Sequence, residues 1–152
     1  MGEREIVEPV WELTLPKLTP PSALLPNNRL RRSGNIVGRK VARIYRKDVE
    51  TVASAARNRA GLDAPLFPGP VRVKVLVAWE KSWMHGKKIS RFQYRKHPDP
   101  DGLDSALKGL WDGLQDAGIL GNDKYLIREP VEQTNDPNED GYVAIQFYAE
   151  AA

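Results

Sequence analysis

From Val71 to Trp79 every second residue is apolar. Val71, Val73, Val75, Val77 and Trp79 share one face of an extended chain, which predicts a half-buried strand. The same alternation at Trp11, Leu13 and Leu15 predicts a first strand over Val10–Leu15. Between them Val49, Val52, Ala53 and Ala56 fall on one helical face. This helix begins upstream, near Val41, and stops at Gly61. A longer helical stripe, Leu103, Ala106, Leu107, Leu110, Trp111, Leu114 and Ala117, predicts a second helix from Leu103 to Ala117, with Gly118 as its stop. Tyr125–Val131 and Gly141–Tyr148 read as two closing strands, joined by the polar turn Asn135–Asp140. Lys87–Arg95 reads either as a polar strand or as a mobile basic hairpin arm. The prolines at 16, 20, 21 and 26 forbid regular structure between the first strand and the first helix.

The predicted order is β-α-β-(β)-α-β-β. Few helices and mixed strands indicate an α+β fold: a single domain over residues 1–152, a mixed β-sheet, and two main helices packed on one side. The chain is 41% hydrophobic, which fits a globular protein. It has no cysteine, which excludes a disulfide scaffold, a thiol nucleophile and a Cys-ligated metal site. The first residues carry no apolar signal core or myristoylation pattern, and no apolar run reaches membrane-spanning length. The expectation is a cytoplasmic protein without membrane contact.

Charge changes the picture. The net value is only +3, but the signs are segregated. From Arg29 to Lys47 there are eight Lys or Arg and no acid; from Lys81 to His97 there are six, again with no acid. From Asp99 to Asp140 there are eleven acids against Lys108, Lys124 and Arg128. Two basic loops or arms, 16–40 and 81–97, therefore precede an acidic centre. Charge runs are usually solvated faces. Alternating in this way, they suggest a surface that grips phosphates around a metal site.

The acidic centre opens with Asp99, Asp101 and Asp104, packed into six residues. Clustered carboxylates repel unless a cation lies between them, and hard oxygen donors suit Mg²⁺, or Mn²⁺ in its place. Pro100 biases Asp99 toward an extended conformation, in which Asp99 and Asp101 face the same side. Lys108 lies one helical turn after Asp104, opposite the leucine stripe. Asp123 follows the helix, where the chain can return to the helix start. Asp99, Asp101 and Asp123 would then hold the metal. Taken singly, Asp101 and Asp104 have a simpler reading as helix-start acids, Lys108 as a surface partner of Asp104 or Asp112, and Asp123 as a turn residue. His85 and His97 have no metal-ligand spacing.

These residues resemble the RusA-type Holliday junction resolvases. The family's signature is Asp-x-Asp-Asn-Leu opening a helix that carries a Lys. A Leu-x-Asp-(Ala/Gly)-Leu stretch, an Ala-Gly turn and a terminal Asp-Asp follow. Here stand Asp99-Pro100-Asp101-Gly102-Leu103, Lys108, Leu110-Trp111-Asp112-Gly113-Leu114, Ala117-Gly118 and Asn122-Asp123. Upstream, Leu15-Pro16, Pro20-Pro21-Ser22 and Asn27-Asn28-Arg29 are similar to the family's opening strand and basic loop. The resemblance implies a homodimeric, Mg²⁺-dependent endonuclease that cuts branched, four-way DNA by paired nicks. It implies Asp99, Asp101 and Asp123 as metal ligands and Lys108 as the catalytic lysine. Gly102 and Asn122 depart from the pattern, replacing an Asn and an Asp. A compact form of the motif would select Asp104 and a longer form Asp101. Asp101 preserves the Asp-x-Asp pair, which leaves Asp104 as a fourth ligand or a helix-start acid.

The residues expected to hold the DNA backbone are Asn28, Arg29, Arg31, Arg32, Lys87, Lys88, Arg91, Arg95 and Lys96. Three other readings remain. One is a non-catalytic DNA-binding module. Another is a nuclease acting on forks or flaps. The third is an aspartyl-phosphate hydrolase, disfavoured because no buried apolar strand precedes Asp99.

Overall fold

The computed structural model describes residues 8–21, 24, 35–85, 90–95 and 97–149, with only the backbone described at 35–38, 83–85, 90, 91 and 123. The alternating segments become three long strands: β1 (Trp11–Pro16), β2 (Val71–Trp79) and β7 (Tyr142–Ala149). Strand β7 lies between the other two and is antiparallel to both. The register aligns Leu13 with Ile145 and Ile145 with Val75, and likewise Leu15 with Val143 and Val143 with Val77. Directly paired residues project to the same face. The predicted apolar faces therefore merge into one buried surface.

Two helical segments cover that surface. Helix α1 (Asn35–Arg59) contributes Tyr45, Val49 and Ala53 to the core. Helices α2 (Pro100–Ala106) and α3 (Lys108–Asp116) contribute Leu103, Leu107, Leu110 and Leu114. This is the expected α+β arrangement. The remaining strands are β3 (Lys81–His85), β4 (Ser90–Tyr94), β5 (Leu126–Arg128) and β6 (Glu132–Asn135). Strands β5 and β6 both pair in parallel with the outer edge of β2, β5 with its first residues and β6 with its last. Strands β3 and β4 form a separate hairpin, so the described part of the Lys87–Arg95 segment is one arm of a basic hairpin.

The structure corrects four boundaries. Helix α1 starts at Asn35, six residues before Val41. The single helix expected over Leu103–Ala117 starts at Pro100, whose ring pre-sets a helical φ. It is also divided at Leu107, whose N–H is shared between Leu103 O at 3.0 Å and Asp104 O at 3.2 Å. The strand expected over Tyr125–Val131 ends at Arg128, and pairing resumes only at Glu132. Pro130 stands in the gap, where it can donate no ladder bond.

Two local devices fix the site's surroundings. Asp136 is buried, and its carboxylate accepts the N–H groups of Asn138 and Gly141, each at 2.9 Å. That closes the turn into β7, with Gly141 at φ +81°. Helices α1 and α3 meet at Gly113, where a Cβ would lie 2.8 Å from Arg46 O and from the Val49 side chain. No larger residue permits that approach without displacing α1.

Arg46 ties the same crossing. Its Nε and Nη2 donate to the two carboxylate oxygens of Asp116, the latter at 2.9 Å, and Nη1 lies 3.8 Å from Asp112. The guanidinium's hydrogen bond holds the Asp116 carboxyl below the usual carboxylate range. The pair's contribution is therefore present above that range and is lost as pH falls through the lowered value. Both groups are substantially exposed, so this is worth under about 1 kcal/mol.

Candidate active site

The approach to the acidic cluster is pinned at the C-terminal end of β2. Trp79, fully buried, donates its indole N–H to Gln133 Oε1 at 2.9 Å. Gln133 Nε2 in turn donates to Pro98 O at 3.0 Å. His97 Nε2 lies 2.9 Å from Asn135 Oδ1. The Arg95 guanidinium stacks over the Trp79 ring at 4.4 Å. The residue next to Pro98 is thereby fixed in space, and that residue is Asp99.

Asp99 is the N-cap of α2, with φ −61° and ψ 150°, and makes no side-chain cap bond. Asp101 lies inside the first helical turn, so the two are not successive positions of an extended strand; Pro100 starts the helix between them. From Asp101, three residues on is Asp104 and seven on is Lys108, which places all three on one helical face. Asp99, Asp101, Asp104 and Lys108 are exposed. Among the described residues none of the four has an ion-pair partner within 4 Å. The simpler readings of Lys108 as a surface partner of Asp104 or Asp112 are thus not realised; Asp112 turns to Arg46.

Asp123 stands elsewhere. It opens a short 3₁₀ turn that leads directly into β5, whose Leu126 pairs with Val71 at the start of β2. The preceding loop is fastened to the same end, by a parallel bridge between Leu120 and Phe67 and by Gly121 N–H to Phe67 O at 2.9 Å. Pro98, by contrast, is held by Gln133, which pairs with Val77. Six strand residues separate Val71 from Val77, about 20 Å at ~3.3 Å per residue. The α2–α3 segment spans the same interval, about 25 Å at 1.5 Å per residue. The backbone at Asp123 therefore lies toward the opposite end of β2 from the start of α2. Among the described residues no three acidic or imidazole side chains are placed to hold one ion. Asn122, the departure beside Asp123, accepts the Lys124 N–H at 3.0 Å and shapes the turn.

The expected DNA contacts are distributed unevenly. Asn28, Arg29, Arg31, Arg32, Lys87, Lys88 and Lys96 lie outside the described residues, and Arg91 is placed only by its backbone, opposite Met84 in the hairpin. Arg95 is committed internally: Nη1 donates to Pro20 O at 3.0 Å and to Glu80 Oε1 at 2.9 Å. Glu80 also accepts the Thr19 hydroxyl at 2.6 Å. Arg95 thus joins the proline-rich segment to the sheet end.

Sequence reasoning missed the bracing side chains Trp79, Gln133 and Asn135, whose roles depend on a β2–β6 pairing that no motif announces. It also passed over Arg39 and Arg43. With Lys108 they line a groove of about 420 Å³ between α1 and α3. Their spacing of four on a helix was the available signal.

No described helix is long and apolar enough to cross a membrane. No curated protein matches the chain. A family model does, over residues 20–146: endodeoxyribonuclease RusA.

Proposed function

Since the chain belongs to the RusA endodeoxyribonuclease family, and is therefore a DNA endonuclease, we propose that it resolves four-way DNA junctions as a Mg²⁺-dependent homodimer. One observation carries this reading. A fixed helix start presents Asp99, Asp101 and Asp104 beside Lys108, with none of them paired to another described residue.

The donor set fits a divalent cation. Asp99 and Asp101 offer hard carboxylate oxygens at an exposed site, with Asp104 one turn along the same face. Mg²⁺ held there would lower the pKa of a bound water and neutralise charge on the scissile phosphate. The third ligand expected from the family motif, Asp123, belongs to the opposite end of the protomer. A two-fold axis that sets the Asp123 end of one subunit against the α2 start of the other supplies it. It also gives the assembly two sites, as two symmetric nicks require.

Cleavage of labelled four-way junction, fork and linear duplex DNA, with Mg²⁺ or with EDTA, tests the proposal. The expected result is paired nicks in the junction alone, abolished by EDTA. An intact junction in Mg²⁺ overturns it, and equal cutting of forks replaces the junction by a broader class of branched DNA.

Lys108 supports the chemistry from the first residue of α3. Its ammonium, without a partner among the described residues, lies on the same helical face as Asp101 and Asp104 and can stabilise charge developing on the phosphate. Lys108→Ala should lower the single-turnover cleavage rate by roughly 10²-fold or more, as loss of one preorganised electrostatic group commonly does. Junction affinity should change far less. A near-normal single-turnover rate would make the lysine a structural residue.

A further inference from the structure

Helix α1 runs beside α3 in nearly the same direction. Tyr45 lies against Gly109, Arg46 and Val49 against Gly113, and Arg46 reaches Asp116. Extending this register toward the N-terminus of α1 brings Ala42 level with Ala106 and Arg39 level with Leu103, at the carboxylate-bearing end of the segment. The groove between the helices follows that course. Its apolar lining is Ala42, Ala106 and Gly109 together with the buried Leu24. Its rims carry Arg39 and Arg43 on one side and Lys108 on the other.

The charge balance within the groove is one-sided. Arg39, Arg43 and Lys108 are exposed and have no ion pair or hydrogen-bond partner among the described residues. The acid that also lines it, Asp112, is already opposed by Arg46. Arg46 is thus a pin that holds the two helices together and offsets the local negative charge. Three cations without partners among the described residues, set around a cleft, make a site for an anion. The cleft leads lengthwise toward the carboxylates at the start of α2, so an extended polyanion suits it better than an isolated ion.

We propose that this groove is a subsite for the DNA backbone, in which Arg39 and Arg43 hold phosphates adjoining the one to be cut. The proposal rests on the nuclease reading above, and it assigns a binding role to a helix face that was not among the expected DNA contacts. Arg39 and Arg43 act in binding, while Lys108 joins the groove to the site of cleavage.

The test is junction binding in EDTA, where cutting is prevented, over a series of salt concentrations. The variant is Arg39→Gln/Arg43→Gln. The control is Lys74→Gln, on the opposite face of the sheet beside Tyr148, which removes charge away from the groove. The double variant should bind roughly tenfold more weakly, with the salt slope shallower by about two units. The loss should be equal for junctions of different sequence, and Arg39→Lys/Arg43→Lys should restore most of it. Melting temperature should stay near that of the unsubstituted protein, and Lys74→Gln should leave the slope unchanged. Unaltered affinity and slope in the double variant would overturn the groove while leaving the nuclease reading intact. An equal loss in Lys74→Gln would overturn it too, by reducing the effect to net charge. Failure of the unsubstituted protein to bind junctions would remove both.

Discussion

Asp101→Asn protein is expected to fold, to bind four-way junction DNA, and to leave it uncut at any Mg²⁺ concentration. Asp101 lies in the first turn of α2, exposed and without a partner among the described residues. Replacing its carboxylate with an amide of nearly the same shape removes no packing, so a thermal melt should shift little. The charge that would hold the metal is lost, and with it cleavage. Junction affinity should persist or rise, because a negative group near the phosphates has gone. Normal Mg²⁺-dependent cutting by Asp101→Asn would move the role to Asp104, one turn further along the same face. Asp104→Asn is the direct comparison.

Much of the fold was legible because its signals are local. Alternation marked β1, β2 and β7, and the leucine stripe marked the helix that carries Lys108. The break at Leu107 left no trace in that stripe, because Leu103, Ala106, Leu107 and Leu110 keep helical spacing across it. Arg39 and Arg43 were read as part of a charge run. With the helix start placed near Val41, Arg39 fell outside the helix and its alignment with Arg43 was hidden.

The residues of the candidate site could be read from the sequence, but the backbone position of Asp123 could not. Three clustered acids and a lysine are visible in the residue order itself. The place of Asp123 does not, because it depends on which strand accepts β5. Once β5 is parallel to β2, the intervening helices must run back along the sheet, and their two ends lie at opposite ends of it. Asp99 and Asp123 bracket those helices and are parted by their length. The bracing of Pro98 by Gln133 and Trp79 was hidden for the same reason. It joins residues 35 and 54 apart through a strand pairing that local periodicity does not reveal.

That separation makes a composite site across the homodimer the central claim, and mixed variants test it most directly. Asp101→Asn and Asp123→Asn proteins should each be inactive alone. Co-expressed, random pairing makes about half the dimers heterodimeric, each with one wholly unsubstituted site, or about a quarter of the normal site count. Junction nicking should therefore return in the mixture, one strand per heterodimer. A mixture of Asp101→Asn with Asp99→Asn, whose lesions share one end of the protomer, should stay inactive. Absence of nicking from the Asp101→Asn and Asp123→Asn mixture, with heterodimers demonstrated by mass, would contradict the claim and place the whole site within one chain.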